Sequence, residues 1–179
     1  MGSEMCIRDR GHKGPYEVIP NRWIARVLNR GDFVGALLLD LWTNHCDRRQ
    51  CVFVSTGTTS SLRAVLIDND HMFGGFAGNE KTCPRRTMLP NEGFYGGVWT
   101  NANVAQWKRV IDSIDDRTID QMFARVPDTW ADFPGLRRAM TELGLRRARL
   151  DSLIAEVDDV LEDGRFLSVE SPRCAELVD

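Results

Sequence analysis

Two aspartates stand at the ends of strongly apolar runs, and this pairing constrains the fold more than any other feature of the chain. Asp47 lies in Trp42-Thr-Asn-His-Cys-Asp-Arg-Arg-Gln50, just after a leucine-rich run, and Asp68 lies in Val65-Leu-Ile-Asp-Asn-Asp-His-Met-Phe-Gly74. Apolar runs are buried, so each carboxylate is delivered from the end of a core element rather than from a free loop. Between the two, Cys51-Val-Phe-Val-Ser55 and Leu62-Arg-Ala-Val-Leu-Ile67 are rich in β-branched residues and flank the polar turn Thr56-Gly-Thr-Thr-Ser-Ser61. This pattern predicts a β-hairpin. A hairpin folds back on itself, so the chain entering its first strand meets the chain leaving its second, and both aspartates come to one place.

The flanking segments predict helices. Trp23, Ile24, Val27 and Leu28 fall on one stripe of a short amphipathic helix between Pro20 and Leu28. Gly31 stops it, and Asp32 is placed to cap a second helix running to Asp40 or Trp42, apolar on nearly every side and so buried centrally. The stretch from Gly74 to Gly97, with Pro84 and Pro90, shows no period and reads as a long loop. Helices are expected again over Val104 to Ile114, Asp116 to Arg125, Pro134 to Leu143 and Leu145 to Leu161. The last carries Leu150, Leu153, Ile154, Val157 and Leu161 at helical steps. Trp23, Trp42, Trp99, Trp107 and Trp130 read as core and interface anchors, and Arg137, Arg138, Arg146, Arg147 and Arg149 as a solvated basic face. The expected class is α+β, mainly helical, with one hairpin.

Composition excludes several function classes. A chain of 179 residues suits one domain with a real core, and 42% hydrophobic with 27% charged residues is ordinary for a globular protein. The longest apolar run, near Phe33 to Leu41, is far short of the roughly 20 residues that cross a bilayer. A net charge of −3 argues against broad nucleic-acid binding. The five cysteines are odd in number and lack C-x-x-C spacing, so reduced thiols and a cytoplasmic setting are expected. His45, Cys46, Cys51 and His71 lack the tight paired spacings of a zinc site and read as packing residues.

Residues 1–10 have neither helical nor strand period and lack the apolar core of a signal peptide. Met5-Cys-Ile-Arg-Asp-Arg10 looks like the in-frame translation of a sequencing-library adapter, so an artefactual leader is expected there, the folded lobe over 11–163, and a frayed tail over 164–179. Genomic DNA upstream of the Gly11 codon tests this, and a native promoter and stop codon there would overturn it.

Phosphoryl transfer needs one carboxylate to orient or deprotonate the acceptor hydroxyl and another to hold magnesium over the phosphates. The order helix, Asp47 loop, hairpin, Asp68 supplies both, and it is the order of a protein-kinase-like large lobe. Asn44-His-Cys-Asp-Arg-Arg-Gln50 together with Leu66-Ile-Asp-Asn-Asp-His-Met-Phe-Gly-Gly75 resembles the C-terminal lobe of HipA-like kinases, relatives of the protein kinases and phosphatidylinositol kinases. The likeness spans about Gly11 to Arg149. It implies Asp47 as the catalytic-loop aspartate, Asn44 as the loop asparagine before it, and Asp68 as the magnesium ligand that also serves ATP. It also implies ATP and magnesium as cofactors, protein serine or threonine hydroxyls as acceptors, and a toxin–antitoxin or stress-response role in the bacterial cytosol.

Two departures from the family pattern stand out. Superfamily members place a metal-binding asparagine five residues after the catalytic aspartate; here that residue is Val52, and Gln50 is the nearest amide able to take the metal role. No glycine-rich loop or strand lysine precedes Asp47, so this stretch alone is expected to bind ATP weakly. The rival reading is a non-catalytic, degenerate kinase lobe that binds a protein through its late helices.

Overall fold

The computed structural model describes residues 15–57, 61–74, 87–89, 91–127, 129 and 134–162. Its first helix, α1 (Asn21–Ile24), is followed by α2 (Asp32–Thr43), which the rest of the domain surrounds. Phe33, Val34, Leu37, Leu38 and Leu41 are each at most 1% exposed, so α2 is buried on nearly every side, as its composition requires. Asn44 ends the helix in a left-handed conformation, φ 56°, with its N–H donating to Asp40 O.

Two details at this end differ from expectation. The first helix stops at Ile24, and Leu28 is exposed. Pairing with the hairpin draws the chain out of its helical path: Leu62 N–H donates to Arg26 O, and Leu28 N–H to Leu62 O, both at 2.9 Å. Gly31 rather than Asp32 occupies the cap position of α2, and Asp32 Oδ2 accepts from Asn29 Nδ2 at 2.9 Å.

The hairpin forms as read. Strands β1 (Gln50–Ser55) and β2 (Leu62–Ile67) pair antiparallel, from Gln50 opposite Ile67 to Ser55 opposite Leu62. Alternation then sorts the side chains, with Phe53, Leu62 and Ala64 buried while Val65 and Ile67 on the other face are exposed. Phe53 stacks on Phe94, whose ring meets Phe33 edge-on, joining the hairpin to α2. Within the stretch expected to be a loop, Met88, Leu89, Phe94 and Tyr95 are core residues and Glu92–Phe94 forms a short 3-10 helix. Residues 75–86 of that stretch lie outside the described residues.

The later described residues form α3 (Asn101–Asp112), α4 (Asp116–Phe123), α5 (Pro134–Ala148) and α6 (Leu150–Glu162). Thr100 Oγ1 caps α3 by accepting from Asn103 N–H, and Asp115 Oδ1 caps α4 by accepting from Thr118 N–H at 2.7 Å. The break between the last two helices falls at Arg149, not at Gly144. Contacts with α2 hold the chain helical through the glycine: Trp42 Nε1 donates to Leu143 O at 3.0 Å, and Arg146 Nε donates to Leu41 O at 2.7 Å. The expected solvated basic face is therefore partly absorbed. Burial pulls the Arg146 guanidinium below its usual pKa, and Arg147 bonds to Ile114 O and pairs with Asp116.

Trp42 is buried, and Trp23, Trp99 and Trp107 are partly buried against the core; Trp130 is outside the described residues. Trp107 Nε1 donates to Gly31 O at 3.1 Å, which presses the indole ring onto α2. A Cβ added at Gly35 would lie 2.5 Å from that ring. Gly35→Ala is therefore expected to destabilise the domain by about 1–3 kcal/mol through overpacking. Urea unfolding measures it, and an unchanged midpoint would show that α2 and α3 do not pack at this distance.

Candidate functional site

The chain leaves α2 through the turn Asn44–Arg49 and leaves β2 through the turn Asp68–Gly74, and backbone bonds stitch the two together. Phe73 N–H donates to Thr43 O at 2.8 Å, Gly74 N–H to Asn44 O at 3.0 Å, and Cys46 N–H to His71 O at 3.1 Å. Cys46 Sγ adds a contact to His71 O at 3.3 Å. The hairpin thus returns the second turn onto the first, and Gln50 meets Asp68 directly.

Backbone strain concentrates here. Among the described residues, every non-glycine with positive φ lies in these turns: Asn44 at 56°, Asp68 at 62° and Phe73 at 60°. Asparagine and aspartate tolerate this region, but for a bulky residue such as Phe73 it is an outlier. Left-handed non-glycine residues cost on the order of 1–3 kcal/mol and persist where the surroundings over-determine them. The stitching bonds supply that constraint.

The predicted site residues divide by role. Asn44 is the left-handed cap of α2, and its carbonyl holds Gly74. Asp47 is half-buried, and its Oδ1 accepts from Arg48 N–H at 2.7 Å. Asp68 is exposed, and its Oδ2 accepts from Gln50 Nε2 at 2.9 Å. Val52 sits in β1 opposite Val65, so no amide occupies its position.

Asp70 belongs to the same cluster, although the sequence offered only a turn-forming Asp-Asn-Asp as its signal. Its N–H donates to Asp68 Oδ1 at 3.4 Å. Hydrogen bonding from the Asp70 side chain, then from its backbone, holds the Asp68 carboxyl below its usual pKa, and the Asp70 carboxyl is raised by the reciprocal bond.

Beneath them lies a polar group that the sequence reading did not assign. Asp40, fully buried in α2, pairs with Arg49, itself only 4% exposed. Arg49 Nη1 also donates to Asp68 O at 3.1 Å and to Asn69 Oδ1 at 2.6 Å. A carboxylate inside a leucine-rich helix was the available signal, because a buried charge demands a partner. His45 is 1% exposed, and neither ring nitrogen has a hydrogen-bond partner among the described residues.

An open groove of about 450 Å³ adjoins the turns, lined by Val18 and Ile19, by Arg48, Gln50 and Val52, and by Ile67. It ends beside the carboxylates without including Asp47 or Asp68 among its walls.

Among the described residues, no three His, Cys, Asp or Glu side chains gather into a metal-binding group. Magnesium does not need one, since it keeps several waters and is held by one or two carboxylates with substrate phosphates. Asp68, with Asp70 beside it, fits that hard-oxygen requirement. Gln50 fits it less directly, because its amide N–H occupies the Asp68 oxygen and would have to give way for Gln50 to share a cation with Asp68.

No protein-family model, curated protein or solved structure matches the chain.

Cys51 bears on the alternative of thiol chemistry. Burial raises its thiol to about 11, so at neutral pH almost none is thiolate. Alkylation of Cys51 by iodoacetamide, followed by peptide mass spectrometry, is expected to be very slow at pH 7 and to rise about tenfold per pH unit up to the pKa. Fast labelling at pH 7 would restore a nucleophilic or metal-binding role for this cysteine.

Proposed function

We propose that this chain supplies the phosphate-handling lobe of an ATP-dependent phosphotransferase of the HipA-like kinase type. The observation that carries this reading is the stitching of the Asp47 turn to the Asp68 turn by backbone hydrogen bonds, with left-handed residues in both and the bulky Phe73 among them. A bulky residue held left-handed is costly, and such a cost is borne where the placement of the turn matters.

In this reading Asp47 accepts the proton of the acceptor hydroxyl, a protein serine or threonine, and orients its oxygen. Asp68 holds magnesium, with Asp70 as a neighbouring oxygen donor. Bound magnesium supplies positive charge that offsets the phosphate oxygens. The groove beside the turns suits a nucleotide: Val18, Val52 and Ile67 offer apolar surface to a flat base, and Ile67 leads directly to Asp68. Arg48 lies at the groove as a cation available to phosphate. A cytoplasmic toxin–antitoxin or stress-response role goes with the family reading.

A second reading is favoured by Val52, which offers no amide at the second metal position. On that basis the chain is a non-catalytic kinase lobe acting as a protein-binding module.

Magnesium–ATP, titrated into the chain and followed by thermal unfolding, separates the two. At about ten times its Kd the nucleotide stabilises by about 1.4 kcal/mol, a rise of about 3–6 °C. Asp68→Asn is expected to abolish the rise. Asp47→Asn should keep it while removing phosphate transfer to a serine- or threonine-containing acceptor. Because this stretch alone is expected to bind ATP weakly, the deciding outcome is read with the upstream coding region restored: indifference to magnesium–ATP there would end the phosphotransferase reading and leave the binding module.

A further inference from the structure

The Arg49 guanidinium reaches two separate parts of the chain from inside the core, and its backbone reaches a third. Its Nε donates to Asp40 Oδ2 at 3.1 Å and its Nη2 bonds the other carboxylate oxygen, a two-point grip on the last turn of α2. Its Nη1 faces the second turn and donates to Asp68 O at 3.1 Å and Asn69 Oδ1 at 2.6 Å. The Arg49 backbone N–H donates to Thr87 O at 3.0 Å. Only a planar fork with fixed donor directions makes all these side-chain bonds at once.

We propose that Asp40 and Arg49 form a positioning clamp that sets Asp68 against the first turn, a role that rests on the reading of Asp68 as the metal ligand. Asp68 is left-handed, with φ 62°, and Arg49 bonds the carbonyl of that same residue. The clamp therefore selects the backbone conformation that aims the Asp68 side chain. Asp40 is also tied to the first turn, since its carbonyl accepts from the N–H groups of Asn44 and His45. One buried ion pair thus spans both turns.

Stability alone does not account for such a pair. A buried ion pair is often no more stable than apolar side chains of similar volume, because desolvation offsets the attraction. Burial outweighs Arg49 in setting the Asp40 carboxyl, which lies above its usual pKa despite two charge-assisted bonds. What an apolar pair cannot supply is donors for Asp68 O and Asn69 Oδ1.

Two variants of the full chain isolate the positioning role. Arg49→Lys keeps a charge for Asp40 but, as a point donor, cannot hold Asp40 and the second turn together. The double variant Asp40→Leu/Arg49→Met removes both charges and keeps apolar volume, so global stability is expected to stay near wild type. The readout is amide hydrogen exchange at Phe73 and Gly74, whose N–H groups donate to Thr43 and Asn44. Both variants are expected to exchange these amides at least about tenfold faster than wild type, with thermal midpoints little changed. Wild-type exchange in the double variant would overturn the clamp, because apolar packing would then hold the turn equally well. Unfolding of both variants would overturn it too, by making the pair a requirement of the whole core.

The magnesium–ATP response is measured on the same proteins. If wild type responds, both variants should lose at least tenfold in affinity; an unchanged affinity alongside faster exchange would separate the clamp from metal positioning and overturn its functional half. If wild type does not respond, the exchange rates alone decide whether Arg49 holds the turn.

Discussion

A helix that is apolar on nearly all sides must be enclosed, and the enclosure of α2 is the constraint from which the rest of this structure follows. The hairpin reaches it through Phe53 and Phe94, and α3, α5 and α6 pack against it directly. Because α2 has so little free surface, its C-terminal end is fixed relative to every other element. The turn that begins at Asn44 inherits that rigidity. Rigid placement is what a carboxylate needs when its task is to orient a reacting group, since small displacements of such groups are costly.

Polar groups inside this enclosure depart from what burial alone would select. Asp40 and Arg49 are charged in the core, His45 is buried with neither ring nitrogen paired among the described residues, and Phe73 holds a left-handed backbone. A buried polar atom without a partner costs about 1–3 kcal/mol, and the strained residues add costs of similar size. These departures fall in or directly beneath the two stitched turns. Concentration of such departures in one place is the pattern that a functional site produces.

Much of the fold was legible because its signals are local and periodic. The hairpin followed from two β-branched runs around a polar turn, and the burial of α2 followed from its leucines. What escaped depended on tertiary contacts. The first helix ended early because Val27 and Leu28 pair with Leu62, a residue distant in sequence. Helix α5 ran past Gly144 because Trp42 and Arg146 tie its backbone side to α2. At the site, Asp47 and Asp68 were visible as exits from apolar runs, whereas Asp70 and the Asp40–Arg49 pair were not. No spacing rule couples a helix aspartate to an arginine beyond the helix end; only the chain's return at Asn44 brings them together.

Asp68 is held by two sets of bonds. Gln50 Nε2 donates to one oxygen of its carboxylate, while Asp70 N–H donates to the other. Asp68 is thereby satisfied without a cation, although it is exposed and carries a like-charged neighbour. Both bonds are single and solvent-exposed, so water replaces either at small cost. The Arg49 bonds differ in kind: they are largely screened from water and hold the Asp68 carbonyl rather than its carboxylate. In the reading proposed above, a cation would therefore replace the partners of the side chain without disturbing what fixes the backbone, because a replaceable outer set of bonds lies over a buried inner set.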